Sequence, residues 1–204
     1  MTAGRSLPPL LAQGFTFASR DVIYVACNWP DLPGGVWKSI DGGREWSQLP
    51  TPKPPQGDAG FIGVFPLSED VVFAHGGRGL LVKTTDGGET WQSLMDEKEG
   101  PGDNNGLWAR NERDVWVARD NNLLYHTWGG ENLWEEYRPV QDGGWVVHVE
   151  VVGRSVWVAA SANSVNSGGF AFSPDYGATW MTPTTDLPPA VHAQFNSLSL
   201  QPVM

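Results

Sequence analysis

An eight-residue phrase is written four times along this chain, and no other sequence feature limits the fold as tightly. It occurs as Ser39-Ile40-Asp41-Gly42-Gly43-Arg44-Glu45-Trp46 and as Thr84-Thr85-Asp86-Gly87-Gly88-Glu89-Thr90-Trp91. It then decays to Thr127-Trp128-Gly129-Gly130-Glu131-Asn132-Leu133-Trp134 and returns as Ser173-Pro174-Asp175-Tyr176-Gly177-Ala178-Thr179-Trp180. The closing tryptophans lie 45, 43 and 46 residues apart, a period that marks stacked supersecondary units.

A second phrase recurs in step with the first. Asp21-Val22-Ile23-Tyr24-Val25-Ala26 is matched by Asp70-Val71-Val72-Phe73-Ala74, by Asp114-Val115-Trp116-Val117-Ala118 and by Ser155-Val156-Trp157-Val158-Ala159. β-branched and aromatic runs of this length suit a pleated, buried surface. Another apolar run precedes each, as in Phe15-Thr16-Phe17 and Phe61-Ile62-Gly63-Val64-Phe65. A third leads into the box, as in Leu80-Leu81-Val82-Lys83, and a fourth leaves at its tryptophan. Four antiparallel strands repeated around an axis make a blade. The expected fold class is therefore all-β, a β-propeller of four-stranded antiparallel blades. Four box-bearing blades at about residues 13–50, 58–95, 104–138 and 144–183 are followed by one extra C-terminal strand at 191–200, within a single domain of 204 residues.

Composition agrees and narrows the function classes. With 25 glycines, 16 prolines, 11 tryptophans and 18% charged residues, the chain suits turn-rich β structure. Its formal charge of −10 and its lack of any basic run exclude a nucleic-acid partner, which would need clustered Lys and Arg. The same acidity disfavours anionic membrane surfaces. No signal-peptide core or membrane-spanning stretch is visible, so membrane insertion is not expected and the compartment stays open. Cys27 is the single cysteine and is expected to be a small apolar core residue.

The box has a local physical logic. It reverses the chain between the third and fourth strands, where glycine supplies positive φ and a carboxylate can accept backbone N–H groups of its own turn. Ser39, Asp41, Gly43 and Trp46 are therefore assigned structural roles. So are Thr84, Asp86, Gly88 and Trp91, then Trp134, then Ser173, Asp175, Gly177 and Trp180. The pattern Ser/Thr-x-Asp-x-Gly-x-Thr-Trp resembles the Asp-box, or BNR repeat, of the sialidase-like and photosystem II assembly factor-like propellers. The match is strong at Asp86 and Asp175 and good at Asp41, where Glu45 stands for threonine. In the third unit Gly129, Glu131 and Leu133 replace Asp, Gly and Thr, which predicts a looser turn there.

Known Asp-box propellers usually carry more than four blades. A compact ring of four or five units, an arc closed by a second chain, and an arc leaning on a different partner all fit the repeat count. An uncovered edge strand would favour assembly.

Function is expected at the end opposite the boxes, where long loops on a rigid scaffold are free to vary. The ligand-binding candidates are Asn28, Trp29 and Asp31, then His75 and Arg78, then Arg119, Asp120 and Asn121, and finally Asn163 and Asn166. Trp37, Trp108, Trp145, Trp116 and Trp157 read as core, and Trp128 as partly exposed. The acidic stretch Asp96 to Asn105 reads as a solvated linker. The four histidines lack metal-ligand spacing, so neither a metal nor a cofactor is expected.

The resemblance to sialidases implies three substrate-clamping arginines, a tyrosine nucleophile with a glutamate beside it, and an aspartic acid. Arg20, Arg113 and Arg154 share one turn position, Arg44 lies in a box, and no Tyr-Glu arrangement stands out. No catalytic residue is assigned. A non-catalytic protein-interaction or scaffold module, with a protein partner or self-association, is the leading expectation. A glycan-binding, lectin-like module of a virion or cell surface is the alternative, and a glycoside hydrolase of sialidase-like fold is the second alternative.

Overall fold

The computed structural model describes residues 12–27, 35–52, 60–95, 102–129, 133–140, 144–161 and 169–182. The expected strand at 191–200, and the candidates Asn28, Trp29, Asp31, Asn163 and Asn166, lie outside these residues. Among the described residues fifteen strands form four antiparallel sheets. The first contains β1 (Ala12–Phe17), β2 (Ile23–Cys27), β3 (Gly35–Ser39) and β4 (Ser47–Gln48), hydrogen-bonded in that order. The second contains β5 (Phe61–Pro66), β6 (Val72–Gly76), β7 (Leu81–Thr84) and β8 (Gln92–Ser93). The third contains β9 (Asn104–Ala109), β10 (Val115–Arg119), β11 (Leu123–Thr127) and β12 (Trp134–Tyr137). The fourth contains β13 (Trp145–Val152), β14 (Ser155–Ser161) and β15 (Gly169–Ser173). Among the described residues its expected fourth strand at Trp180 is represented by one bridge between Phe172 and Met181. Apart from a 3₁₀ turn at Gly77–Gly79, no helix occurs among the described residues. The architecture is all-β and propeller-like, with up-and-down sheets separated by the sequence period.

The chain divides into two compact units, and the partition falls within β9. One unit holds Met1–Asn104 and Ala109–Glu112, the other Asn105–Trp108 and Arg113–Met204. In the first unit, alternation along β2 sends Val22, Tyr24 and Ala26 to one face. There they pack with Val36 against Phe61, Val72, Ala74, Leu80 and Val82 of the second sheet. The other face of β2 carries Val25 and Cys27, which cluster with Trp37 and the half-buried Trp46. Cys27 is 1% exposed, and burial pushes its thiol up to about 11. It is a core residue, as its neighbours in sequence imply.

Polar groups complete this joint. Tyr24 Oη donates to the carbonyls of Glu69 (2.7 Å) and Gly87 (3.3 Å), while Lys38 Nζ donates to Gly87 O at 3.0 Å. Desolvation, helped by Asp70 and Glu69, raises the Tyr24 phenol well above its ordinary value. Tyr24 therefore stays a donor at any physiological pH.

In the second unit Trp116, Ala118 and Leu124 pack with Val140 against Val146, Val149, Val151, Val156, Val158, Ala160 and Ala171. The Trp116 ring stacks on His126 at 3.9 Å and 15°. His126 Nε2 lies 2.9 Å from Asp114 Oδ1, and Tyr176 Oη donates to both oxygens of the same carboxylate at 2.8 and 2.7 Å. Tyr176 occupies the box position held by Gly42 and Gly87 and adopts their left-handed backbone, with φ 61°. A non-glycine residue there stores strain of about 1 kcal/mol or more, offset by the ring's packing against Trp116 and Trp128. Not every tryptophan is core: Trp145 is 47% and Trp128 57% exposed, and Trp157 is half-buried.

The intact boxes share a hydroxyl-to-aspartate bond, a backbone N–H bond to that hydroxyl and a backbone N–H bond to the aspartate. Thr84 Oγ1 accepts from Gly88 N (2.9 Å) and donates to Asp86 Oδ1 (2.7 Å). Asp86 in turn accepts from Thr90 N (2.9 Å) and Thr90 Oγ1 (2.5 Å). Ser39–Asp41 and Ser173–Asp175 repeat the arrangement at 2.8 Å each. The tryptophans do more than cover the turn. Trp46 Nε1 donates to Gly43 O (2.9 Å) and Trp91 Nε1 to Gly88 O (3.2 Å). In the third unit the hydroxyl contact survives without an aspartate, as Gly129 N donates to Thr127 Oγ1 at 3.1 Å.

Candidate functional site

The boxes sit beside the turns joining first and second strands, where Gly42 N and Gly87 N donate to Asp21 O and Asp70 O at 2.9 Å. The loops between second and third strands are therefore at the other end of each sheet, as the strand alternation predicts. The two described loops of this kind belong to different units.

In the first unit β6 runs into a tight turn that returns as β7. Arg78 sits at its tip with φ 55° and ψ 39°, exposed, in a conformation few L-residues adopt. Its backbone N donates to Asp103 Oδ1 at 2.8 Å, which pins the tip. His75 is placed otherwise than expected. It lies within β6, is 6% exposed, and its Nδ1 is 2.7 Å from Asn104 O. A carbonyl only accepts, so Nδ1 carries the proton and the imidazole is a structural donor. All five positions of β6 are buried, so the strand's last residues, His75 among them, lie inside rather than in the loop. Asn104 is itself fully buried and donates Nδ2 to Leu80 O at 3.1 Å. Of the stretch assigned to a solvated linker, Asp103, Asn104 and Asn105 are held by hydrogen bonds.

In the second unit β10 and β11 are joined through Asp120, Asn121 and Asn122. Asn121 and Asn122 both have positive φ (61° and 56°), as a twist-matched hairpin turn requires. Asn122 is buried and clamps Val140, accepting from its N at 3.2 Å and donating to its carbonyl. Asp120 Oδ1 accepts from Asn105 Nδ2 at 2.9 Å. Exposed Asn121 presents its carbonyl to Arg138 Nη1 at 3.2 Å, and Arg138 Nη2 meets Glu136 Oε1 at 2.9 Å. Arg119, expected in the loop, ends β10 instead. It is 1% exposed, with its guanidinium 5.7 Å from the Tyr125 ring centre. With its guanidinium beside the Tyr125 ring, Arg119 is buried at the end of β10 and does not reach the loop surface.

Of the described candidates, Arg78, Asp120 and Asn121 reach the loop surface, while His75 and Arg119 do not. Arg138 and Asp103 join them through hydrogen bonds between distant sequence positions, and no local motif marks either residue. Taken separately, the first unit's loop carries a cation on a backbone-fixed tip, and the second unit's loop carries a carboxylate, an amide and an arginine. Among the described residues no group of three or more His, Cys, Asp or Glu can hold a metal ion. None of the described helical segments is long and apolar enough to cross a membrane.

Solved structures share this fold. One is described as YCF48 bound to a D1 peptide, with a TM-score of 0.62 and 19% identity. It matches 87% of this chain, which covers 57% of that one. Another is YCF48 from Cyanidioschyzon merolae, with a TM-score of 0.60 and 15% identity, over 89% of this chain and 59% of that one. A GH74 enzyme from Niastella koreensis follows at a TM-score of 0.61 and 16% identity, over 81% of this chain and 28% of that one. The chain thus spans less than two thirds of the length of these structures. Comparison with curated proteins gave no match. The family model for photosynthesis system II assembly factor YCF48 matches residues 33–163, well over half of the sequence, and the chain belongs to that family of BNR-repeat proteins.

Proposed function

We propose that this protein is a non-catalytic interaction module that holds an extended segment of a protein partner on a loop between second and third strands. The observation that carries this reading is the family relative solved with a D1 peptide, which shares the fold over most of this chain. The loop surface supports it. Arg78 is an exposed cation on a tip fixed by Asp103, and Asp120, Asn121 and Arg138 offer donors and acceptors on a rigid hairpin. Such groups fix the register of a bound backbone and of its charged side chains. The likeness to GH74 enzymes is one of fold and brings no sugar chemistry with it.

The test is fluorescence anisotropy with a labelled D1 peptide, run on the wild type and on Arg78→Ala and Asn121→Ala/Arg138→Ala variants. Saturable binding that weakens about tenfold in at least one variant, or about 1.4 kcal/mol, is the expected result. Absence of peptide binding, together with specific hits on a glycan array, would replace this reading with a lectin-like one.

A further inference from the structure

Each unit contains one joint between consecutive sheets, and strand register assigns the same repeat positions to the same tasks. The leading side of a joint is a cross-strand pair on the second and third strands. It is Tyr24 opposite Lys38 in the first sheet and Trp116 opposite His126 in the third. Each pair presses on the fourth position of the next box, Gly87 or Tyr176. The receiving side is built by the first strand of the following sheet. In the second sheet it is Val64, opposite Ala74, and in the fourth it is Val149 and Val151, opposite Val158 and Val156. Val149 and Val151 are 1% and 5% exposed in their joint.

The same register places a half-joint of each kind on the fourth and first sheets. The fourth sheet owns a leading pair, Trp157 opposite Phe172, stacked at 4.7 Å and 18° and left half-buried beside Phe170. The first sheet owns receiving positions Phe15 and Phe17, opposite Val25 and Ile23. They are the positions of Val149 and Val151, yet they stand 68% and 59% exposed, ring to ring at 6.0 Å. Both half-joints have become larger and more apolar than the internal ones. Phe172 stands where Lys38 and His126 stand, and phenylalanines stand where the buried valines do. An exposed Phe15–Phe17 pair and a half-buried Trp157–Phe172 pair are apolar surface of the kind that marks an interface.

We infer that the fourth sheet of one copy docks on the first sheet of a second copy of this chain, continuing the series of joints between molecules. The contact is heterologous, Trp157 and Phe172 of one protomer against Phe15 and Phe17 of its partner, so it yields a closed ring or an open array. A fully buried aromatic side chain covers roughly 150–250 Å²; these four are already partly covered, so they form the apolar centre of the contact and not the whole ~1,200 Å² at which specific interfaces begin. The inference rests on the internal joints and is independent of the peptide-binding reading.

Light scattering at tens of micromolar protein tests it. The expected mass of the wild type is at least twice the 22.2 kDa of one chain. A Phe15→Glu/Phe17→Glu variant and a Trp157→Glu variant should each run at the single-chain mass with unchanged circular dichroism. Mixing the two should restore a heavier species, because the first keeps its leading face and the second its receiving face. A wild-type mass of one chain overturns the proposal. So does a Phe15→Ser/Phe17→Ser variant, milder at exposed positions, that associates like the wild type, or a mixture that fails to recover the heavier species.

Discussion

Thr84 shows how a single residue decides whether a box closes. Its hydroxyl is buried, accepts from Gly88 N and orients Asp86. In a Thr84→Ala variant the buried N–H loses its acceptor, which costs about 1–3 kcal/mol. Chemical denaturation should show that loss, with Thr84→Ser recovering most of it. The carboxylates add a pH dependence. Hydrogen bonds from Thr90 and Thr84 hold Asp86 below its ordinary value, those from Thr179 and Ser173 do the same for Asp175, and those from Glu45, Ser39 and Arg44 for Asp41. A depressed folded-state value stabilises the fold above the unfolded value of about 3.9 and is lost as pH falls through the folded one. Stability should therefore fall steeply below about pH 4. The Asp86→Asn variant should start lower at neutral pH and fall less, as thermal melts across the acid range will show. At this scale the sequence was legible, because box partners lie within six residues of each other. His75, Arg119 and Tyr176 were not, because Asn104, Tyr125 and Asp114 reach them from other strands.

Among elements, strand alternation and repeat phase predicted which faces are apolar but not how closely neighbouring strands approach. Gly106 on β9 makes this concrete. A Cβ there would stand 2.8 Å from Val147 O and 3.1 Å from His148 Cα, both backbone atoms of β13 that cannot swing aside. Gly106→Ala should destabilise the protein by about 1–3 kcal/mol, read as a shift of the denaturation midpoint. Gly153→Ala, whose Cβ meets nothing within 4 Å but whose φ is +62°, separates steric contact from backbone strain. The fourth sheet gives the converse lesson. Trp180 predicts a closing strand by analogy, and among the described residues it is represented by the Phe172–Met181 bridge.

For the whole molecule, the formal charge of −10 acts on every copy alike. Two such chains repel at long range, while the contact proposed between Phe15, Phe17, Trp157 and Phe172 is apolar. Added salt screens the repulsion and leaves the apolar term in place. Association should therefore tighten between low salt and ~0.5 M salt, the reverse of a charge-driven complex, and sedimentation velocity will show it. What the sequence by itself determined is the repeat: its period, its four boxes, its strand order and the family to which it belongs. Those properties depend on contacts between residues close in the chain, and local spacing records them. Tertiary structure alone decided which arginine is buried under a tyrosine and which asparagines clamp a distant strand. It also decided that Tyr176 takes a glycine's backbone and that Phe15 and Phe17 face outward where Val149 and Val151 face in. Each of these depends on which surface a neighbouring sheet covers, and a one-dimensional pattern repeated in every unit does not encode that difference.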